Sequence, residues 1–348
     1  MRILLSQFRH ADDRLERETI DAGVDLVVQT ARDGAWIPIP PEVRKTIDGI
    51  IHSPPNTDVD GSPADYPNVR ALVRAGVGFD GVDIKAWGQH GTAVFNVPDY
   101  GTSEVADHAI GLMLALTRGI ITYHDAIRAD PAKGWTQGIA PIVCRLREAV
   151  FGVVGLGRIG LGAATRARAF GMQIAFHDPY LPSGMEITVG ARRCSTLHEL
   201  MTISDVISVH APATEETHGL IGTEALAHAK PNLVLINTAR GSIVDLDALY
   251  HALKTRRIGA AGLDVLQREP ADPSHPLIAA WRSGEDWIAG RLALTPHAAF
   301  YSPASLVDMR VKSIHTIVRY LRTGDLANCV NNEFLAKTRL VGSVDGPN

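Results

Sequence analysis

The stretch 149–178, AVFGVVGLGRIGLGAATRARAFGMQIAFHD, constrains this chain more than any other. Residues 150–154 are a short apolar run of β-forming type, the mark of a buried strand. Gly155, Gly157 and Gly160 follow at G-x-G-x-x-G spacing, with Leu156, Arg158 and Ile159 between them, and an Ala/Arg-rich helical stretch runs to about Phe170. Residues 173–177 read as a second strand that ends on Asp178. Each part has a physical role. Gly155 permits the tight strand-to-helix turn, Gly157 lets backbone amides approach a pyrophosphate, and Gly160 lets helix and strand pack closely. The helix N-terminus adds positive potential. Asp178, eighteen residues after Gly160, stands where a carboxylate accepts hydrogen bonds from an adenosine ribose. Three glycines alone are weak evidence in a chain with 32. Strand before, helix after and an acid closing the next strand make a dinucleotide site. No Arg or Ser flanks Asp178 to receive a 2′-phosphate, so the expected cofactor is NAD rather than NADP.

The rest of the chain repeats the same rhythm. Short β-rich runs at 3–6, 25–28, 49–52, 71–74 and 93–96 are separated by polar or helical stretches and by the Pro-rich turns 37–41 and 53–55. Further strands are expected at 205–210, 233–237, 259–264 and 291–295, with helices at 197–201, 224–229 and 246–254. Such alternation predicts an α/β fold of two doubly wound parallel-sheet domains with a cleft between them. One domain is expected from 1–98 plus 302–335, because the stripe Leu306, Met309, Ile317 and Leu321 predicts a final helix that packs back on it. The other spans 99–301 and opens with a linker helix over 102–129, apolar nearly all round at 111–116, which suggests burial between layers or subunits and a homodimer. Residues 336–348 read as a loose tail.

Composition narrows the partners. A net charge of −4 gives no electrostatic reason to expect nucleic acid or an anionic membrane surface. Three dispersed cysteines, with no C-x-x-C, suit a reducing, cytoplasmic setting and speak against a metal site. The N-terminus reads as a strand followed by charges rather than a signal peptide.

Chemistry gathers at strand ends, where open parallel sheets bind ligands. His52 closes GIIH and Arg74 closes ALVR, just before a turn holding Val77 and Gly78. Each has a plain alternative, a hydrogen-bonded loop histidine and a surface ion pair. Arg240 follows LVLIN in the run NTARG, and a planar fork of donors there suits a carboxylate. Glu269 lies in GLDVLQREP and His297 in TPHAAF. His297 suits proton transfer near neutral pH, oriented by Glu269. With fourteen histidines present, His297 does not stand out by itself.

These motifs, in this order and spacing, carry a resemblance over nearly the whole chain. VGLGRIG with Asp178, NTARG, GLDVLQREP and TPHAAF resemble the D-isomer-specific 2-hydroxyacid dehydrogenases. RAGVGFDGVDIKAWG, HDPYL, TPHAAFYS and ANCVNNEFL look most like that family's C-terminal-binding-protein branch. The resemblance implies an NAD-dependent oxidoreductase for small 2-keto and 2-hydroxy acids, with Arg240, Glu269 and His297 catalytic. It implies cofactor contacts from Thr102, Gly155 to Gly160, Asp178, Ala211, Pro212, Thr217, Thr238, Ala239, Arg240, Asp264 and His297. It places His52, Arg74, Val77, Gly78, Arg240 and Phe300 about the substrate. Phe300 departs from the branch, which carries a Trp there, while Trp135 matches the broader family. The segment 278–294 is longer than the family usually has and reads as a lid, a dimer contact or a surface loop. The same branch also implies an alternative, an NADH-gated corepressor-like binding protein.

Overall fold

In the computed structural model, which describes residues 1–53 and 59–335, the chain divides into two compact units. One comprises Met1–Gly101 with the chain from Ser302 onward, the other Thr102–Tyr301. The expected loose tail at 336–348 and most of the 53–55 turn lie outside the described residues.

The first unit holds β1 (Arg2–Ser6), β2 (Asp25–Val28), a small antiparallel hairpin of β3 (Ala31–Arg32) and β4 (Ala35–Trp36), then β5 (Gly49–His52), β6 (Ala71–Arg74) and β7 (Ala93–Asn96). Its main sheet is parallel, in the order β2-β1-β5-β6-β7. Side chains alternate between two buried faces. Ile3, Leu5, Ile51, Val73 and Phe95 meet Met309, Ile314, Ile317 and Leu321 of the Pro303–Thr323 helix. Leu4, Ile50, Leu72 and Val94 meet Ile47, Tyr66 and Trp87. Each fully buried aliphatic side chain contributes roughly 1.5–3 kcal/mol. The returning helix is well delimited: a Ser302–Ser305 capping box with Pro303 opens it, and Gly324 in the left-handed region closes it. The hairpin goes beyond the strands expected from sequence, although its Asp33-Gly34 turn, positive in φ at both residues, is the preferred two-residue connection.

The second unit is built on β8 (Val150–Val154), β9 (Gln173–His177), β10 (Arg192–Arg193), β11 (Val206–Val209), β12 (Val234–Asn237), β13 (Ala260–Leu263) and β14 (Leu292–Leu294). All seven strands are parallel, ordered β10-β9-β8-β11-β12-β13-β14. The order reverses direction at β8, which puts a topological switch point between the carboxyl ends of β8 and β11. Phe151, Val153, Ile236 and Ala260 pack beneath Ala109, Leu112, Met113 and Leu116, while Val209, Leu235 and Leu263 face Leu249, Leu253 and Leu277.

Two expectations are corrected. The single helix over 102–129 is two helices, Thr102–Thr117 and Ile120–Ala129, bent by 58°. Gly119 sits at φ +65°, a Cβ there would strike Ala140, and the Thr117 carbonyl accepts its hydrogen bond from the Cys144 amide. The first helix buries its apolar face in this unit's core; the second has no buried residue. No single helix among the described residues is long and apolar enough to cross a membrane. The segment 278–294 is not a plain surface loop. It continues the Pro276–Ser283 helix, which buries Leu277, Ile278 and Ala280. Trp287 then meets Tyr250 edge-on at 5.8 Å, and the buried Arg291 guanidinium donates to the carbonyls of Leu253, Ile258, Gly259 and Trp287. The three bonds to Leu253, Ile258 and Gly259 tie the segment to the body of the unit.

Candidate active site

The carboxyl ends of β12, β13 and β14 build one constellation from adjacent strands. After β12, the buried Asn237 side chain folds the following turn, accepting from the Ala239 amide (3.0 Å) and donating to the Arg240 carbonyl (2.9 Å). This presents Arg240, half-buried, with one guanidinium nitrogen 2.8 Å from the Ala239 carbonyl. At Gly241 a Cβ would collide with the Leu266 carbonyl group, so glycine is what lets the β12 and β13 loops touch. Gly241→Ala should therefore lower stability by about 1–3 kcal/mol, read as a shift in the denaturant midpoint.

The β13 loop carries Glu269. One of its carboxylate oxygens accepts from the Leu266 amide (3.0 Å) and the other from His297 Nδ1 (2.7 Å). An ionised carboxylate only accepts, so Nδ1 carries the proton and Nε2 is left for other chemistry. Burial pushes the Glu269 pKa up, but the hydrogen bond from His297, the charge of His297, the Leu266 amide and the Arg240 charge outweigh it, and the net shift is downward. Arg240, Glu269 and His297 thus act on one another within this unit. The sign of the pH dependence follows. A carboxyl whose folded pKa is depressed adds stability in full above its ordinary value of 4.5 and loses it as the pH falls through the lower folded value. On acidification below 4.5, the Tm of the wild-type protein should fall more steeply than that of Glu269→Gln.

His297 has φ +53°, uncommon for a residue with a side chain, and its position is over-determined. Its amide donates to the Asp264 carbonyl (2.8 Å). The Asp264 carboxylate, 1% exposed, accepts from the Thr295 hydroxyl (2.6 Å) and from the Ala298 and Ala299 amides (2.9 Å each). Its oxygens are therefore committed to the loop that carries His297, a structural duty beyond the cofactor contact expected of it. His108, which the sequence reading missed, places Nε2 2.9 Å from the Thr295 hydroxyl. It lies on the Thr102–Thr117 helix with no motif around it, so no local pattern marks it. Phe300 stands edge-on to the His297 ring at 6.3 Å.

Across the same sheet, the glycine turn has the shape its sequence implies. Gly155 has φ +85°, and a Cβ there would lie 2.8 Å from Ala211. A Cβ at Gly160 would strike the Gly155 carbonyl, whereas one at Gly157 would stand in open space. The Arg158–Ala169 helix begins there, with Arg158 exposed and Ile159 partly buried. Asp178 accepts from the Leu156 amide (3.0 Å) and the Tyr180 amide (3.0 Å). The Thr217 hydroxyl closes its loop by donating to the Pro212 carbonyl (2.6 Å). The hydroxyls of Thr102 and Thr238 are buried and have no hydrogen-bond partner among the described residues. An open amide-lined turn at a helix N-terminus, an acid at the end of β9 and two orphaned hydroxyls fit a bound dinucleotide.

In the first unit, His52 and Arg74 end adjacent strands in register; His52 is fully buried with Nδ1 3.4 Å from the Ser6 hydroxyl, as the hydrogen-bonded alternative has it, and Arg74, 6% exposed, is not a surface cation. Ser6, His52, Arg74 and Asn96 form a polar row across the carboxyl ends of β1, β5, β6 and β7. The Asn96 amide holds the Val77 carbonyl (2.7 Å), fixing the turn that carries Val77 and Gly78. Ser6 and Gln29, both buried, bond to each other behind His52. Ser6, Gln29 and Asn96 carry no signal in the sequence because only strand register brings them to this edge.

Residues 110–299 match the model of the D-isomer specific 2-hydroxyacid dehydrogenase NAD-binding domain. The chain belongs to the D-isomer specific 2-hydroxyacid dehydrogenase family. It is 33% identical over 267 residues to a glyoxylate reductase of Korarchaeum cryptofilum, covering 77% of each chain. Its fold matches that of D-lactate dehydrogenase from Aquifex aeolicus, solved with NAD and lactic acid, with a TM-score of 0.79 and 27% identity over 94% of this chain and 99% of that one. It also matches the NADPH-dependent glyoxylate/hydroxypyruvate reductase of Sinorhizobium meliloti, solved with NADP and malonate, with a TM-score of 0.78 and 29% identity over 94% and 96% of the two chains. As a member of this dehydrogenase family the protein is an oxidoreductase acting on the CH–OH group of 2-hydroxy acids.

Proposed function

We propose that the protein is an NAD-dependent reductase of small 2-keto acids to D-2-hydroxy acids, with His297 as general acid and base. The observation that carries this reading is the 2.7 Å bond from His297 Nδ1 to Glu269, acted on by the charge of Arg240. Bound nicotinamide cofactor supplies the hydride. The protein's own part is to place charge and a proton. Arg240 grips the substrate carboxylate and stabilises negative charge on the C2 oxygen. His297 Nε2 gives a proton to that oxygen in reduction and takes it back in oxidation, while Glu269 holds the ring through its hydrogen bond with Nδ1. Phe300 is the apolar neighbour beside that imidazole. His52, Arg74, Val77 and Gly78 take the substrate role that their polar row at a carboxyl edge supports. The relatives' names, glyoxylate and hydroxypyruvate reductases and a lactate dehydrogenase, favour a small acid. Asp178 favours NAD.

A finer likeness to the C-terminal-binding-protein branch rests on its four sequence runs alone. A homodimer fits the exposed Ile120, Ile121, Trp135, Ile139 and Val143 on the second linker helix and the loop that follows it. Charge and cysteine usage favour a cytoplasmic enzyme without nucleic-acid or membrane partners. The experiment is a panel of 2-keto acids, including glyoxylate, hydroxypyruvate and phenylpyruvate, assayed with NADH and NADPH side by side. Turnover with NADH and a small acid is expected; no turnover with any pair overturns the enzyme reading.

A further inference from the structure

Sheet order places three loops side by side at the coenzyme end of the second unit. β8 lies between β9 and β11, so the glycine turn is flanked by the loop after β9 and the loop after β11. Tyr180 follows β9 and Glu216 follows β11, and the Tyr180 hydroxyl donates to the Glu216 carboxylate. That contact therefore crosses the glycine turn from one flank to the other. Tyr180 is anchored at its other end as well, since its amide donates to Asp178, whose second oxygen holds the Leu156 amide of the turn (3.0 Å each). One tyrosine thus joins two carboxylates across the turn.

The surroundings hold this arrangement in place. The Glu216 loop is closed on itself, with the Thr217 hydroxyl accepting from the Thr214 amide (2.8 Å) and donating to the Pro212 carbonyl (2.6 Å). The hydrogen bond to Glu216 raises the Tyr180 pKa and keeps that hydroxyl a donor. The guanidinium that reaches the Asp178 loop, Arg193, is spent inward. It donates to the carbonyls of Asp178 (3.3 Å), Leu181 (3.2 Å) and Pro182 (2.7 Å) and to Glu186 (2.9 Å), and it lies over the Phe176 ring. The edge that would meet an adenosine ribose carries two carboxylates, and the Arg193 cation beside them is already committed.

We propose that Glu216, held by Tyr180, is a second acidic determinant of coenzyme choice that acts with Asp178 to exclude a 2′-phosphate. The inference rests on the reading that a dinucleotide binds at the glycine turn. Ribose hydroxyls donate to carboxylates and are welcome there. A phosphate only accepts and carries charge of the same sign, so each carboxylate within a few ångströms repels it.

Fluorescence titration of the full chain with NADH and NADPH at low ionic strength tests this directly. Glu216→Gln keeps an oxygen to accept from Tyr180 and removes only the charge. It should tighten NADPH binding about fivefold and leave NADH within about twofold. The gain should shrink in half-molar salt, as screening requires. Tyr180→Phe keeps the charge but releases it, and should shift the ratio the same way by a smaller factor. An unchanged NADPH-to-NADH ratio in Glu216→Gln, with NADH still bound, overturns the role of Glu216 alone. Failure of the wild-type protein to bind either nucleotide overturns the dinucleotide reading beneath it.

Discussion

His297→Gln should lower kcat for keto-acid reduction by about two to four orders of magnitude, the usual worth of a positioned general acid. Glutamine approximates the length of histidine and still donates to Glu269, so the loop keeps its anchor, but it cannot exchange a proton near neutral pH. The loop itself is held by bonds the substitution does not touch, from the His297 amide to Asp264 and from Asp264 to Thr295, Ala298 and Ala299. NADH binding should consequently stay within about threefold of wild type. Stopped-flow reduction and a nucleotide titration on the same preparation measure both quantities. A kcat within tenfold of wild type removes His297 from the chemistry. A parallel collapse of NADH binding assigns it to nucleotide binding instead.

Arg240→Gln should cost about 10²- to 10³-fold in kcat/KM, the loss seen when a donor to developing negative charge is removed. Glutamine retains hydrogen-bonding capacity and loses both the charge and the fork. Arg240→Lys restores charge without the planar pair of donors and should recover only part of the loss. If Arg240 serves charge on the reacting oxygen, kcat falls along with kcat/KM; if it only holds the carboxylate, KM rises while kcat is kept. A change under threefold in both parameters removes it from the site. The effect is separable from folding because the Arg240 turn is shaped by Asn237 and Gly241, which the variant leaves in place.

Glycine spacing, the acid at 178 and the strand-helix rhythm are local or periodic signals, and so they were readable. A Cβ collides or it does not, and an apolar run either alternates or repeats at helical spacing. The runs at 150–154 and 173–177 form strands at those bounds, and the final helix returns to the first sheet. Arg240, Glu269 and His297 were legible through the family resemblance that their motifs carry together, since His297 does not stand out by itself among fourteen histidines.

Other features depend on neighbours distant in sequence. Gly119 looks like any tolerated helical glycine until Ala140 and the Cys144 amide arrive beside it. Asp264 is expected from the resemblance to contact the cofactor, yet its oxygens are occupied by the loop 31 to 35 residues further on. Arg291 carries no mark in the sequence and is buried on four carbonyls. The Tyr180–Glu216 contact exists only because β9 and β11 flank β8. The amino-acid sequence by itself determined where strands, turns and chemical groups occur, since steric and periodic preferences act within a few residues. The tertiary structure decided which polar atoms are left free to meet a ligand, because buried donors and acceptors must be satisfied and parallel pairing chooses their partners.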